Sequence, residues 1–186
     1  MKKAIEVLKS GGIIAFKTDT VMGIGANGFD KNAVKKLFDL KRRNYEKPVS
    51  ILLPTIEKIF EYVIVNKTAL EIIEKYFPGA ITCILIAKTC IYTTPLTCGK
   101  TVGVRVPKFR KLQEFLSLLD FPLVATSANI SGEPPFENRE SIENAFKNSV
   151  YYLDFGYNVK MSGMASTVVD CHNGEINILR KGSIKV

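Results

Sequence analysis

The stretch at residues 13–25, IIAFKTDTVMGIG, limits the possible folds of this chain more than any other part of the sequence. Four apolar residues, Ile13–Phe16, stand between a Gly-Gly pair and the polar triplet Thr-Asp-Thr at 18–20. This arrangement is typical of a short buried strand that delivers polar groups to its end. Gly23 and Gly25 alternate with apolar residues, which predicts a bend or a close approach of another segment. We interpret the whole stretch as the edge of a binding site.

Further buried strands and amphipathic helices alternate along the chain. Apolar runs predict strands at 49–53, 81–87, 101–106, 122–126, 150–153, 166–170 and 175–180. Helical spacing and capping residues predict helices at 2–9, 31–40, 55–62, 70–76, 107–119 and 140–148. The last two strands are joined by His172-Asn173-Gly174, a hairpin signal, and must be antiparallel. We therefore predict a single α/β domain over 1–186, with a twisted open sheet of mixed parallel and antiparallel strands and flanking helices.

Composition excludes several classes of protein. With 46% hydrophobic and 24% charged residues, the chain has the balance of a soluble globular domain. No apolar run approaches the roughly 20 residues of a membrane span, so a cytoplasmic location is expected. The four cysteines, Cys83, Cys90, Cys98 and Cys171, show no metal-binding spacing, and neither zinc nor disulfides are expected. The one histidine, His172, precedes Asn-Gly and fits an exposed turn better than a catalytic role.

The net charge of +8 is the informative bulk property. Such an excess is neutralised by an anionic partner, for which a nucleotide and a nucleic acid are the natural candidates. A solvated basic surface explains the same number, and charge alone leaves these readings open.

Small polar or cationic side chains stand at the ends of four predicted strands. They are Thr18 to Thr20, Arg105, Ser127 with Asn129, and Ser166 with Thr167. Ligands of open α/β sheets bind where strands end, so these groups could converge on one crevice. Basic residues that could hold phosphates are Lys41, Arg43, Lys47 and Arg180. GxxxxGK[ST] is absent and no GxGxxG stands directly after a predicted strand, so a nucleotide would be held by separate cations, with Mg²⁺.

Seven motifs carry a resemblance to a known family: TDTVMGIG, KRRNYEKP, FPGAIT, TVGVRVP, ATSANISGEP, STVVD and ILRKG. In this order and spacing, from about Gly11 to Gly182, they resemble the YrdC/TsaC family of threonylcarbamoyl-AMP synthases, in its short single-domain form. The resemblance implies a twisted open α/β sheet with a large, positively charged concave face, and the activity of a nucleotidyltransferase. It also implies a reaction in which L-threonine, bicarbonate or CO₂, and ATP with Mg²⁺ give L-threonylcarbamoyladenylate and pyrophosphate. A downstream threonylcarbamoyl transferase machinery would then modify tRNA with the product.

The same resemblance assigns roles to individual residues. It implies that L-threonine is bound by Thr20, Arg105, Ser127 and Ser166, with Arg105 on the carboxylate. It implies that ATP is bound by Lys41, Arg43, Lys47, Asn129 and Arg180, with Lys41 and Arg43 as the catalytic phosphate clamp. No metal ligand from the protein is implied.

Two other functions remain open from the sequence. The basic charge also fits a module that binds double-stranded RNA or tRNA by shape, in a salt-sensitive way. A carbamoyl-transfer domain is the other alternative, because related modules occur inside hydrogenase-maturation proteins. Two residues depart from the family pattern: Lys17 replaces the usual proline and Met22 the usual tyrosine, so we expect a looser fit on the threonine side.

Overall fold

The computed structural model describes residues 1–45, 49–88, 100–156 and 159–186. The described helices are α1 (Lys2–Lys9), α2 (Lys31–Leu40), α3 (Ile59–Tyr62), α4 (Lys67–Tyr76), α5 (Arg110–Leu116) and α6 (Arg139–Phe146), with a 3₁₀ turn at Lys147–Ser149. The described strands are β1 (Ile13–Phe16), β2 (Gly23–Asn27), β3 (Ser50–Leu52), β4 (Val63–Ile64), β5 (Ile81–Ala87), β6 (Thr101–Arg105), β7 (Leu123–Ser127), β8 (Val150–Leu153), β9 (Thr167–Asp170) and β10 (Asn177–Arg180).

All ten described strands belong to one sheet, in the order β10-β9-β5-β6-β3-β7-β2-β1-β8, with β4 paired to β5. The pairs β1/β8, β3/β6 and β5/β9 are parallel. The other neighbours are antiparallel, including β9 and β10 across the predicted hairpin. The predicted mixed open sheet is therefore confirmed.

The two faces of the sheet are covered differently. One face carries a large apolar core to which α2, α4 and α6 contribute. On the other face, α1 and α5 pack over β1 and β7, around Ile14, Phe16 and Leu123. Strand residues that alternate with the large core, such as Thr82 and Gly103, instead line a cavity on this second face. The fold therefore leaves part of one sheet face available to a ligand.

Most predicted elements are confirmed, with shifted boundaries. Asp30 caps α2 as its sequence position suggests, because its Oδ1 accepts hydrogen bonds from the backbone N–H of Asn32 and Ala33 at 2.9 and 3.1 Å. The predicted helix at 55–62 is confined to α3, and β4 follows it directly. The predicted irregular segment at 88–100 lies largely outside the described residues. None of the described helices is long and apolar enough to cross a lipid bilayer.

The sequence did not predict β2, which pairs antiparallel with β1 on one side and β7 on the other. Its glycines obscure the strand pattern but have a clear physical role. A Cβ atom on Gly25 would lie 2.6 Å from the backbone oxygen of Val124 in β7. The close approach expected at this glycine is therefore confirmed, and the polar triplet at 18–20 lies in the turn between β1 and β2.

We expect Gly25→Ala to lower the free energy of unfolding by about 1–3 kcal/mol, because the obstructing atom is backbone held in the β2–β7 pairing. Urea denaturation measures the loss. Gly23→Ala is the matched control, since its Cβ would meet ring atoms of Phe16 at 3.0 and 3.2 Å, and a side chain can shift. An equal or larger loss for Gly23→Ala would contradict this account of β2.

Candidate functional site

A cavity of about 530 Å³ lies on the second sheet face, on the part that α1 and α5 leave uncovered. Its walls include residues of β3, β5, β6, β7 and β9. Three of the described residues that line it are the cations Arg43, Arg105 and Arg180. The lining also includes hydroxyl side chains: Thr18, Thr20, Ser50, Thr82, Thr126, Ser127 and Ser166. Among the described lining residues there is no aspartate or glutamate. This composition suits a ligand that carries negative charge and many hydrogen-bond acceptors.

The turn between β1 and β2 is closed by the side chain of Thr18. Its hydroxyl oxygen accepts hydrogen bonds from the backbone N–H of Thr20 and Val21 at 3.0 and 3.2 Å, and donates to the Val21 carbonyl at 2.7 Å. Hydroxyl-closed turns of this kind fix the local backbone. The turn thereby places the hydroxyl of Thr20 against β6.

Arg105, at the end of β6, is held by three acceptors. Its Nε donates to the carbonyl of Gly79 at 3.0 Å and its Nη1 to the Thr20 hydroxyl at 3.0 Å. Its Nη2 donates to Oδ1 of Asp19 at 2.6 Å in an ion pair whose side chains are only 8% and 13% exposed. Burial lowers the pKa of Arg105, and Asp19 opposes that effect. These contacts use three of the five guanidinium N–H groups, which leaves two for a ligand.

Strand β10 brings Arg180 onto Ser166, just before β9. The Nε of Arg180 donates to the Ser166 carbonyl at 2.9 Å, and its Nη2 donates to the Ser166 hydroxyl at 3.1 Å. Gly182 allows this contact, because a Cβ there would lie 2.4 Å from the Ala165 carbonyl oxygen. The predicted threonine and nucleotide residues at 166 and 180 are therefore in direct contact.

The end of α2 places Arg43 in the cavity. The backbone N–H of Arg43 donates to the Phe38 carbonyl and that of Arg42 to Asp39, both at 3.0 Å. Arg42 adopts a positive φ of 51°. This pair of bonds and the left-handed residue form a Schellman termination, here without the usual glycine. The helix therefore ends with the next residue, Arg43, turned away from its axis.

The three arginines of the cavity influence one another. Burial, and then the neighbouring Arg180, lower the pKa of Arg43. Burial, and then Arg105, lower the pKa of Arg180. Since guanidinium groups keep their protons at neutral pH, this mutual repulsion creates a positive potential in the cavity. An anion bound there relieves the repulsion.

Lys41 is only 1% exposed and is absent from the described lining of the cavity. Its ammonium donates to the carbonyl of Ser127 at 2.5 Å, and to the carbonyl and Oδ1 of Asn129 at 2.9 and 2.7 Å. The Asn129 amide also donates to the Glu133 carbonyl at 2.6 Å. Burial, and then Arg43, lower the pKa of Lys41 to about 7. In this structure Lys41 holds the loop that follows β7.

The structure places most of the predicted site residues together. Those that line the cavity are Thr20, Arg43, Arg105, Ser127, Ser166 and Arg180. Lys41 and Asn129 bind each other behind it, and their predicted roles toward ATP stay predictions. Lys47 lies outside the described residues, so its predicted role also stays a prediction. Sequence reasoning missed Thr82 and the role of Asp19 as the partner of Arg105, although Asp19 stands inside the conspicuous polar triplet.

A protein-bound metal finds little support in the described part of the chain. No group of three or more His, Cys, Asp or Glu side chains there could hold a metal ion. His172 contacts Asp170 at 2.6 Å, outside the cavity lining. Cys83 and Cys171 are buried free thiols, and the other two cysteines lie outside the described residues.

The chain resembles known proteins in both sequence and structure. A sequence model of the Sua5/YciO/YrdC family, described as "Telomere recombination", matches residues 6–182. The chain belongs to this family. The resemblance found in the motifs is thus confirmed over residues 6–182, almost the whole chain.

Two relatives and one solved structure illustrate the similarity. A Methanocaldococcus jannaschii protein, whose name gives threonylcarbamoyl-AMP synthase as a provisional assignment, is 36% identical, with 100% of this chain and 88% of the relative covered. The Pyrococcus abyssi threonylcarbamoyl-AMP synthase is 30% identical over 95% of this chain. This chain spans 52% of that relative, about half its length. The structure of P. abyssi Sua5 complexed with L-threonine has a TM-score of 0.88 at 28% identity, covering 98% of this chain and 54% of that one.

The lowered pKa of Lys41 predicts a pH dependence of stability. Between pH 7 and the ordinary Lys41 pKa of 10.5, Lys41 is protonated in a larger fraction of the unfolded chains than of the folded chains. The contribution of Lys41 to the free energy of unfolding therefore rises with pH, by at most about 1.4 kcal/mol per pH unit. Urea denaturation of the unaltered chain and Lys41→Met at pH 7 and 9 measures this. From pH 7 to pH 9, the free energy of unfolding of the unaltered chain should rise relative to that of Lys41→Met. A difference that is the same at both pH values would contradict the prediction.

Proposed function

We propose that this chain is an L-threonylcarbamoyladenylate synthase, a nucleotidyltransferase that converts L-threonine, bicarbonate and ATP into threonylcarbamoyl-AMP and pyrophosphate. One observation carries the proposal: a single cavity holds three arginines, several hydroxyls and, among its described lining residues, no carboxylate. Such a cavity can accept two anionic substrates side by side. Family membership, the names of the relatives and the L-threonine complex of P. abyssi Sua5 support the choice of substrates.

The amino-acid end of the cavity is formed around Arg105. Its two remaining N–H groups suit the carboxylate of L-threonine, and its other three contacts hold the guanidinium in place. The hydroxyls of Thr20, Ser127 and Ser166 supply further hydrogen bonds at this end. Preorganisation of this kind limits the entropy that is lost when the substrate binds.

The nucleotide end is formed around Arg43 and Arg180. Their charges suit the triphosphate, and we assign Lys47 and Asn129 to the same substrate, as the family resemblance implies. Lys41 contributes indirectly: its ammonium binds the Ser127 and Asn129 carbonyls and so positions these residues, and its charge lies close to Arg43. Mg²⁺ enters with ATP, and the phosphate oxygens supply its ligands.

The reaction then depends mainly on placement and charge. Bicarbonate takes up a proton and loses water to give CO₂. The neutral amine of L-threonine adds to the carbon of CO₂ and releases a proton to solvent, which gives a carbamate. A carbamate oxygen attacks the α-phosphorus of ATP, and the bond to the β-phosphate oxygen breaks to release pyrophosphate. Because both reactants are anions, the arginines lower their repulsion and hold them in line.

The wider role follows from the product. A threonylcarbamoyl-adenylate is an activated acyl donor, which the downstream threonylcarbamoyl transferase machinery would use to modify adenosine in tRNA in the cytoplasm. Contact of the basic surface with RNA is part of this proposal. A module that only binds double-stranded RNA is less well supported, because the three arginines line a concave cavity of about 530 Å³, a size that suits a small ligand.

The experiment that tests the function is pyrophosphate release from ATP with Mg²⁺ and bicarbonate, with and without L-threonine. We expect release that requires both L-threonine and bicarbonate, and a nucleotide product with the mass of threonylcarbamoyl-AMP. Omission of bicarbonate is the matched control. Absence of threonine-dependent release, together with salt-sensitive binding of tRNA, would contradict the proposal in favour of the binding module.

The two ends of the cavity should respond differently to substitution. Arg43→Gln should raise the KM for ATP more than that for L-threonine. Arg105→Lys, which keeps a charge beside Asp19, should do the reverse. Each change should remove about 2–4 kcal/mol of transition-state stabilisation, as measured by kcat/KM for the affected substrate. Equal losses for both substrates in both variants would contradict the assignment.

A further inference from the structure

Thr82 is a buried hydroxyl in the floor of the cavity to which the mechanism above assigns no role. It lies on β5 within an otherwise apolar run and is 3% exposed. Its Oγ1 lies 2.9 Å from the Oγ of Ser166, which is itself 4% exposed. Ser166 also receives the hydrogen bond from Arg180 at 3.1 Å. The Ser166 hydroxyl thus has two fixed neighbours.

The chemistry of these neighbours determines the direction of each hydrogen bond. A guanidinium group only donates, so the bond from Arg180 occupies one lone pair of the Ser166 oxygen. Among the described residues, Ser166 is the one hydrogen-bond partner of the Thr82 hydroxyl. Either oxygen of this pair could donate, but donation from Thr82 gives its buried hydrogen the one acceptor that the described residues offer. Both lone pairs of Ser166 are then occupied.

We propose that Thr82 is a positioning residue: together with Arg180, it fixes the Ser166 hydroxyl as a hydrogen-bond donor to the amino-acid substrate. The Ser166 hydrogen then points to an oxygen of that substrate, either of its carboxylate or of the carbamate formed from its amine. An ammonium group, which also only donates, is a poor partner at this place. The inference rests on the proposed function and deepens its account of how the amino acid is recognised.

Thr167 is a second buried threonine in this region, and its hydroxyl binds backbone groups. The hydroxyl of Thr167 accepts a hydrogen bond from the Gly182 N–H at 3.1 Å and donates to the Ile184 carbonyl at 2.7 Å. These bonds tie residues 182–184, which follow β10, to β9. Thr167 does not line the cavity, and it is as deeply buried as Thr82. It therefore offers a matched control for the loss of a buried hydroxyl.

The test uses Thr82→Val, which keeps the shape of the side chain and removes its hydroxyl. We expect the KM for L-threonine to rise by about tenfold, in line with the loss of one oriented hydrogen bond, while the KM for ATP changes by less than about twofold. Thr82→Ser should restore the KM for L-threonine to within about twofold of the unaltered chain. Thr167→Val should lower stability without this selective change in KM.

A double-mutant cycle shows whether Thr82 acts through Ser166. In the Ser166→Ala background, Thr82→Val should change the KM for L-threonine by less than about twofold. A full tenfold rise in that background, or an equal rise for ATP, would overturn the inference. So would an unaltered KM in Thr82→Val when the unaltered chain is active. If the unaltered chain shows no threonine-dependent pyrophosphate release, the proposed function fails and the inference fails with it.

Discussion

The buried ion pair between Arg105 and Asp19 is the interaction on which the site depends. A charge removed from water needs a partner and further hydrogen bonds, and Arg105 finds them in Asp19, Thr20 and the Gly79 carbonyl. These partners come from the turn between β1 and β2 and from the segment between α4 and β5. One guanidinium therefore joins three separate parts of the chain and fixes the shape of the cavity at one end.

The other cations of the site, unlike Arg105 with its partner Asp19, lie close to groups of the same charge. Arg43 and Arg180 line the same cavity as Arg105, and for each of them, after burial, the charge of a neighbouring arginine lowers the pKa. Lys41 adds a further charge behind the wall, where it binds the loop that follows β7. The folded protein thus holds an electrostatic repulsion that a bound anion relieves. Relief of this repulsion strengthens the binding of triphosphate and carboxylate, and helps to bring two anionic reactants together.

The sequence predicts the fold better than it predicts the contacts within the site. Apolar runs identify most strands, and polar residues at the strand ends indicate where a ligand binds, because both signals are local. The strand β2 was missed because glycines needed for its close approach to β7 remove the alternating pattern. Thr82 was missed because it lies in an apolar run, which predicts a strand buried in the core. The sequence shows that Lys41 and Arg43 are neighbours, but the termination of α2 decides that only Arg43 lines the cavity.

A crystal structure of the chain with L-threonine and a non-hydrolysable ATP analogue tests the central claim most directly. We expect both ligands to occupy the cavity that Arg43, Arg105 and Arg180 line. The carboxylate of L-threonine should lie within hydrogen-bond distance of Arg105, and the triphosphate should contact Arg43 and Arg180. A nucleotide bound elsewhere on the molecule, with the arginine cavity empty, would contradict the account.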